Sequence, residues 1–200
     1  MIDVIILGID IHGIELAGRL DVVGGYNTLG FISTGEQELD SYGGYPILGG
    51  PDALKKYPAA FQLPLHVWKR EEEFGKDRWI SFIDPLAVVA PGAELGYGCI
   101  VFQNCFIGAN AKLGDGVFML GGSAVNHDCH IGERVIMATN ASLAGCVKVG
   151  ARTYIGQAAT VRQYLNIGSD CLVGMGAVVI KDVPDGATVV GNPAKIYQKV

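Results

Sequence analysis

Residues 101–119 read VFQNCFIGANAKLGDGVFM. Every sixth residue of this stretch has an aliphatic side chain: Val101, Ile107, Leu113 and Met119. The spacing continues in both directions, so that seventeen consecutive positions from 83 to 179 are aliphatic without one exception. A period of six matches neither the 3.6 residues of an α-helix turn nor the two residues of a plain strand. Such a repeat decides the fold class before local propensities do.

Two further positions repeat in step with the aliphatic one. The residue after it is glycine in eight of the seventeen hexads, and the residue two places before it is small or β-branched in all but one. This pattern predicts a three-sided parallel β-solenoid, in which aliphatic side chains fill the axis and glycine supplies the turn geometry. Three hexads make one coil, so residues 18 apart are expected to stack directly.

The cysteines follow the same register. Cys99, Cys105, Cys129 and Cys171 occupy the small-residue position, where a buried thiol behaves as a small hydrophobic group. Cys146 falls outside that position. Because the sequence has no C-x-x-C pair, it predicts neither a zinc cluster nor a redox pair.

Charge is scarce and unevenly distributed. Charged residues make up 18% of the chain, and only Lys112 and Asp115 are charged between residues 99 and 125. A solenoid face this poor in charge is expected to be covered by another copy, which predicts a homo-oligomer. A net charge of −5 without a Lys/Arg run argues against nucleic acid as a partner. No apolar stretch approaches the roughly 18 residues of a membrane span, and no signal peptide is recognisable, so we expect a cytoplasmic protein.

The first 78 residues lack the hexad repeat. Strand, helix and strand patterns alternate there, which predicts a small parallel α/β unit. The predicted elements are strands at 4–8, 29–32 and 65–68, and helices at 12–20 and 52–56. The first turn, GIDIHG at 8–13, lies where a ligand meets a helix N-terminus. It lacks the middle glycine of the dinucleotide fingerprint, so a plain strand-to-helix turn is the alternative.

The segment Val-Asn-His-Asp-Cys-His-Ile at 125–131 departs from the repeat by placing His127, Asp128 and His130 within one hexad. A neutral imidazole can take a proton from an attacking hydroxyl or amine, and an adjacent carboxylate fixes its tautomer. His127 and Asp128 are therefore candidate catalytic residues. The alternative is a pair of exposed polar residues at a solenoid corner. We expect His130 on the surface or behind the residues that contact substrate.

Gly145 follows His127 by 18 residues, so it is expected one coil further and directly above it. A residue without a side chain leaves its N–H open, which suits an oxyanion donor for a thioester carbonyl. Another turn glycine is the alternative, although Gly145 lies outside the glycine position of the repeat.

These residues resemble those of the bacterial hexapeptide-repeat sugar acetyltransferases. The hexad run, NHDCHIG at 126–132 and the ending VIKDVPD…VVGNPAK at 179–195 carry the resemblance, which is closest to the sialic acid O-acetyltransferase and pilin-glycosylation aminosugar N-acetyltransferase type. It implies a left-handed parallel β-helix preceded by a small Rossmann-like α/β domain. It also implies a homotrimer, with acetyl-CoA between neighbouring solenoids and no metal.

The domain boundaries that we expect are 1–78 for the nucleotide-sugar domain, 79–182 for the β-helix acyltransferase domain and 183–200 for a C-terminal segment with GNPAK. The resemblance makes His127 the general base, Asp128 the acid that raises its basicity and Gly145 the backbone donor to the thioester oxygen. Direct transfer in a ternary complex follows, because we expect no cysteine beside His127 except Cys129, which points into the core.

The resemblance also assigns binding residues. For acetyl-CoA these are Ile136, where relatives can carry a contacting histidine, Gly145, and Gln157 and Met175 along the pantetheine arm. For the sugar nucleotide they lie in the first turn and after the second strand: Gly8, Asp10, Ile11, His12, Ser33 and Thr34. Ser33 and Thr34 occupy the positions at which relatives have an acidic pair.

Two other classes of protein compete with this interpretation. A zinc-dependent β-helix carbonic anhydrase needs three converging histidines, and the repeat region offers only His127 and His130. A non-catalytic trimeric β-helix scaffold with a ligand-binding N-terminal domain is the stronger alternative. The His127–Asp128 pair favours an acetyl-CoA-dependent acyltransferase that acetylates an amino or hydroxyl group of a nucleotide-linked sugar.

Overall fold

A computed structural model describes residues 1–33, 39–64 and 77–197 of the chain. The chain divides into two compact units, residues 1–81 and residues 82–200. Among the described residues, no helix is both long and apolar enough to cross a bilayer.

The second unit is a parallel β-solenoid with one two-residue strand in each hexad, followed by two further strands after residue 179. Its strands are β6 (Phe82–Ile83), β7 (Val88–Val89), β8 (Glu94–Leu95), β9 (Ile100–Val101), β10 (Phe106–Ile107), β11 (Lys112–Leu113), β12 (Phe118–Met119), β13 (Ala124–Val125), β14 (His130–Ile131), β15 (Ile136–Met137), β16 (Ser142–Leu143), β17 (Lys148–Val149), β18 (Tyr154–Ile155), β19 (Thr160–Val161), β20 (Asn166–Ile167), β21 (Leu172–Val173), β22 (Val178–Val179), β23 (Thr188–Val190) and β24 (Lys195–Ile196).

From β6 to β22 every third strand joins the same sheet, which gives the solenoid three faces, and β23 and β24 extend the first of them. The first face has the order β24-β23-β21-β18-β15-β12-β9-β6, the second β22-β19-β16-β13-β10-β7 and the third β20-β17-β14-β11-β8. From β6 to β22 the paired residues are 18 apart, as in Val125 opposite Leu143. The predicted stacking of residues 18 apart is therefore confirmed. β23 and β24 are exceptions: β23 pairs parallel with β21, with Leu172 opposite Thr188 at a separation of 16 residues, and β24 pairs antiparallel with β23.

The aliphatic residues of the hexads fill the axis of the solenoid, and from Val101 to Val179 all of them are buried. The prediction is wrong for the first two hexads, where Ile83 is 40% exposed and Val89 is 39% exposed. The first coil has a stacked coil on one side only within this unit, so its axial residues lack half of their packing partners.

The glycines of the repeat have a different role from the one we predicted. The left-handed conformation occurs three residues after the axial residue, at non-glycine residues such as Asn110 (φ 59°) and Asp128 (φ 57°) as well as at glycines such as Gly116 (φ 64°). At Gly132, in contrast, a Cβ would lie 2.6 Å from the backbone nitrogen of Ala151. Glycine is required there because the next coil approaches too closely for any side chain.

The cysteine prediction is confirmed for the four residues in register. Cys99, Cys105, Cys129 and Cys171 are free and buried, whereas Cys146 is free and half-buried. Burial raises the pKa of the Cys99 thiol to about 11. These four thiols pack as core side chains and are poor nucleophiles.

The first unit combines a five-stranded sheet with one α-helix and one 3-10 helix. It consists of β1 (Ile2–Leu7), α1 (Ile11–Val23), β2 (Tyr26–Ile32), β3 (Ser41–Tyr42), β4 (Tyr45–Gly49), a 3-10 helix (Pro51–Lys56) and β5 (Phe61–Pro64). The sheet order is β3-β4-β2-β1-β5. β4, β2, β1 and β5 run parallel, and only β3 is antiparallel to its neighbour.

The predicted strand–helix–strand order of the first unit is confirmed for β1, α1 and β2. The predicted second helix is a short 3-10 helix instead, since Pro51 starts it and Tyr57 ends it after two turns. The predicted strand at 65–68 lies outside the described residues; β5 ends immediately before it.

Candidate functional site

His127 lies at the corner between the second and third faces, in the turn from β13 to β14. Its side chain is 60% exposed, and its Nδ1 lies 2.8 Å from Oδ2 of Asp128. If Nδ1 carries the proton and donates it to this carboxylate, Nε2 is left as the free basic nitrogen. The two candidate catalytic residues are therefore brought together in the arrangement that a general base requires.

Asp128 is held in place by its backbone and by a second polar contact. Its φ of 57° belongs to the left-handed corner conformation, and Oδ1 accepts a hydrogen bond of 3.2 Å from Nδ2 of Asn110. The hydrogen bond from His127, followed by that from Asn110, lowers the pKa of the Asp128 carboxyl. The carboxylate thus stays charged beside the imidazole under mildly acidic conditions.

Sequence reasoning missed Asn110, although it precedes Asp128 by 18 residues. The separation of 18 residues that relates His127 to Gly145 in the following coil also relates Asp128 to Asn110 in the preceding coil. An amide at this position can donate to the carboxylate and restrain its rotation about the side-chain bond.

Gly145 stacks on His127 from the next coil. A Cβ at this position would overlap the imidazole and reach 2.5 Å from Cε1, far inside van der Waals contact. Gly145 has no left-handed φ, so steric exclusion and not backbone conformation requires glycine there. The imidazole therefore occupies the space that a side chain at residue 145 would fill.

The backbone N–H of Gly145 donates no hydrogen bond within the described residues, whereas its neighbours Ala144 and Cys146 donate to Val161 and His127. Its carbonyl accepts from the N–H of Tyr164 at 3.2 Å. An N–H without a backbone acceptor therefore lies in the residue that packs on the imidazole.

Cys146 corrects one of our expectations. We expected no accessible cysteine beside His127, but the Cys146 sulfur, an imidazole nitrogen of His127 and a carboxylate oxygen of Asp128 all lie within 4.8 Å of one another. The cause is again the coil: Cys146 follows Asp128 by 18 residues and shares its left-handed corner conformation, with φ 61°. Cys129, as expected, points into the core.

His130 lies on the third face and not at the corner. It pairs with Lys112 on one side and Lys148 on the other, in adjacent strands of the sheet. It is exposed, as expected. Because His130 lies on a face and not at the corner, replacing it provides a control for the replacement of His127.

Of the predicted coenzyme residues, Gly145 lies against His127 and the other three lie elsewhere on the solenoid. Gln157 and Met175 stack at the corner between the first and second faces, where the Gln157 carbonyl accepts from the N–H of Gly176 at 2.8 Å. Met175 is 74% exposed. Ile136 is half-buried in β15 on the first face, paired with Phe118 and Tyr154. Within one chain, Gln157 and Met175 belong to a different corner from His127, and Ile136 belongs to a face.

The first turn of the α/β unit brings part of the predicted substrate site together. Gly8 ends β1 with φ 103° and donates to the carbonyl of Ile32, which places it next to Ser33 at the end of β2. The Asp10 carboxylate accepts a 2.9 Å hydrogen bond from the N–H of Gly13 and caps α1. This cap is a structural role that occupies one carboxylate oxygen.

The remaining predicted substrate residues differ in their exposure. Ile11 begins α1 and is 58% exposed. His12 lies beside it, with Nδ1 3.0 Å from a carboxylate oxygen of Glu15. Ser33 is buried, and Thr34 lies outside the described residues.

Solved structures of sugar acetyltransferases superpose on nearly the whole chain. The acetyltransferase domain of PglB from Neisseria gonorrhoeae FA1090, in complex with acetyl coenzyme A, is 28% identical, with 98% of each chain covered and a TM-score of 0.83. PerB from Caulobacter crescentus, in complex with CoA and GDP-perosamine, is 27% identical over 98% of this chain and 97% of its own, with a TM-score of 0.87. Over nearly its whole length the chain is therefore similar in structure to hexapeptide-repeat sugar acetyltransferases.

The expected resemblance to these acyltransferases is thus confirmed. WeeI from Acinetobacter baumannii AYE shares the fold over 98% of this chain and 100% of its own, at 22% identity and a TM-score of 0.61. No protein-family model and no curated protein matches the sequence. The parallel solenoid matches the left-handed β-helix of the hexapeptide-repeat acyltransferases, and acetyl-CoA or CoA is bound in the PglB and PerB structures.

Proposed function

We propose that the chain transfers an acetyl group from acetyl-CoA to an amino or hydroxyl group of a nucleotide-linked sugar. The observation that carries the proposal is the His127 imidazole, hydrogen-bonded to Asp128 and packed under the bare backbone of Gly145. The PglB domain with acetyl coenzyme A and PerB with CoA and GDP-perosamine support the choice of substrates.

The reaction that we propose is direct transfer within a ternary complex. The acceptor nitrogen or oxygen attacks the thioester carbon while His127 removes its proton, and Asp128 stabilises the resulting imidazolium. The N–H of Gly145 donates to the oxyanion of the tetrahedral intermediate. The carbon–sulfur bond then breaks, and the CoA thiolate takes the proton from His127. Acyl transfer in this form needs no metal ion.

We propose that acetyl-CoA binds between two copies of the chain in a homotrimer. Gln157 and Met175 lie at a different corner of the solenoid from His127 and Gly145. A coenzyme that contacts both sets of residues is accommodated more readily between neighbouring solenoids than along one. Ile136, on the first face, would contact the acetyl end with an apolar side chain. The scarcity of charge from residue 99 to 125 supports the same assembly.

We propose that the amino-terminal unit, residues 1–78, is a Rossmann-like domain that binds the nucleotide part of the acceptor. Gly8 and Ser33 lie at the carboxyl ends of adjacent parallel strands, which is where α/β sheets bind ligands. The solenoid domain would then span residues 79–182, with 183–200 as a C-terminal segment. We place the reaction in the cytoplasm, in glycan biosynthesis; the five free cysteines fit a reducing compartment.

A coupled assay of thiol release from acetyl-CoA tests this function. Wild-type protein should release CoA with at least one member of a panel of amino-sugar and sugar nucleotides carrying UDP, GDP or CMP. Mass spectrometry of the product should show one added acetyl group. Absence of turnover with every acceptor, or an unchanged rate in His127→Ala, would reject the proposal in favour of a non-catalytic scaffold.

A further inference from the structure

The thiol of Cys146 forms a compact cluster with the two proposed catalytic side chains. Cys146 and Asp128 occupy equivalent corners of adjacent coils, with φ values of 61° and 57°, so their side chains leave the solenoid in the same direction. The N–H of Cys146 also donates to the carbonyl of His127 at 2.9 Å. One sulfur, one imidazole nitrogen and one carboxylate oxygen therefore converge within 4.8 Å of one another.

Cys146 differs from the other four cysteines in how its sulfur is used. The buried thiols contact backbone carbonyls, as Cys129 does with Ala144 at 3.2 Å and Cys171 with Pro184 at 3.1 Å. Within the described part of the chain, the Cys146 sulfur has no such hydrogen bond, and the residue is half-buried. Its sulfur is thus available to an exogenous partner at the corner.

We propose that His127, Asp128 and Cys146 form an inhibitory binding site for a thiophilic divalent cation such as Zn²⁺. Thiolate, imidazole and carboxylate are the three ligand types that zinc combines in proteins, and three protein ligands leave a fourth position for water. Mg²⁺ and Ca²⁺ prefer sites made entirely of oxygen atoms, so they are excluded as occupants. On binding, the Cys146 thiol releases its proton to solvent and becomes a metal-bound thiolate.

The geometry requires only a modest adjustment. Ligand atoms around a tetrahedral zinc ion lie roughly 3.5 Å apart, because the bonds are about 2.0–2.3 Å long. The side chains of His127 and Asp128 are 60% and 49% exposed. Rotation of these side chains, without movement of the coils, can therefore bring the three donors around one ion.

Inhibition follows from the role of the imidazole. A metal ion bound to His127 withdraws it from proton transfer and competes with the contact to Asp128. This consequence rests on the proposed function, whereas the binding of the metal does not. The two parts can therefore be tested separately.

Cobalt spectroscopy tests the site itself. Co²⁺ added to the purified, metal-free protein should produce a thiolate-to-cobalt charge-transfer band in the near ultraviolet that saturates at one ion per chain. The band should be absent in Cys146→Ser and weakened in His127→Ala, and it should persist in His130→Ala. Absence of the band in wild-type protein, or an equal band in Cys146→Ser, would overturn the proposal.

Zinc titration of acetyl transfer tests the consequence. Zn²⁺ should inhibit the wild-type protein, and the half-inhibitory concentration should rise roughly tenfold or more in Cys146→Ser, since one metal ligand is lost. Cys146→Ser should keep its acetyl transfer rate in the absence of zinc. Equal zinc sensitivity of the two proteins would contradict the inhibitory role. If no acceptor is turned over, the cobalt band still decides whether the metal site exists.

Discussion

The solenoid and the amino-terminal α/β unit differ in how separation along the sequence becomes proximity in space. In the solenoid, residues 18 apart stack, so His127 meets Gly145 and Asp128 meets Asn110. In the α/β unit, Gly8 and Ser33 become neighbours only because β1, α1 and β2 form a crossover of particular length. A repeat thus allows side-chain contacts to be read from the sequence, whereas a single crossover allows only the edge of a sheet to be inferred.

The largest effect is expected from removing the proposed base in the solenoid. His127→Ala should lower the rate of acetyl transfer about 10²–10⁴-fold, because proton removal from the acceptor is lost. His130→Ala is the matched control, since this exposed histidine lies three residues away on a different face. Steady-state kinetics with saturating acetyl-CoA measure both. A similar loss of the acetyl transfer rate in the two variants would mean that His127 is not the general base.

A smaller effect is expected from the residues that orient the imidazole. Asp128→Asn should lower kcat roughly 10–100-fold, a range typical of a partner that orients a functional histidine. Asn110→Ala removes one of two hydrogen bonds to the carboxylate and should cost about two- to fivefold.

The pH dependence separates these positioning roles from a structural one. Its hydrogen bonds lower the pKa of the Asp128 carboxyl, so the carboxylate remains charged as the pH falls below the ordinary value for Asp. In Asn110→Ala one of these hydrogen bonds is lost, so the Asp128 pKa should move up towards the ordinary value for Asp, and NMR titration of the carboxyl carbon measures the change. An unchanged Asp128 pKa would show that Asn110 does not act through Asp128.

The amino-terminal unit should respond in KM and not in kcat. His12→Ala should raise KM for the sugar nucleotide about fivefold, which corresponds to one lost hydrogen bond, and should leave kcat with saturating substrate unchanged. Glu15→Gln is the control, because it keeps the size of the partner of His12. A fall in kcat with unchanged KM would move His12 from substrate binding to the chemistry.

The smallest effect, a change in Tm, is expected from the removal of surface ion pairs. The two units form these pairs in different ways. Arg152 binds Asp170 of the next coil through two hydrogen bonds and lowers its pKa, whereas Lys55 contacts Asp52 within one turn and lowers the pKa of that carboxyl. A lowered carboxyl pKa adds stability above the ordinary pKa of Asp, and this stability is lost as the pH falls through the lowered value.

Thermal unfolding against pH measures this contribution. The Tm difference between the wild type and Asp170→Asn should be small near pH 7 and vanish by about pH 2. Asp52→Asn should show a still smaller difference, since a single lysine contact lacks the fixed geometry of a two-bond arginine pair. A Tm difference for Asp170→Asn that is independent of pH would exclude the ion pair as its cause.

The sequence predicted the solenoid because each hexad repeats the same physical demand: an aliphatic axial residue and a small neighbour. It also predicted that His127 lies under Gly145, because residues separated by 18 positions stack in adjacent coils. Asn110 and Cys146 obey the same count and were missed because neither residue type suggested catalysis by itself. The hydrogen bond that the Asp10 carboxylate accepts from the N–H of Gly13 was missed because an aspartate before a helix serves equally well as a cap or as a ligand.

The most direct test of the stacked corner compares two glycines at the same position of the hexad. A Cβ at Gly145 would overlap the His127 imidazole, whereas a Cβ at Gly121 would meet its nearest atom at 3.5 Å, an ordinary contact. We predict that Gly145→Ala lowers kcat about 10²-fold, since displacing a reacting group by about 1 Å has this cost, while Gly121→Ala keeps the wild-type rate. Equal rates in the two variants would contradict the account of a base held in place by the next coil.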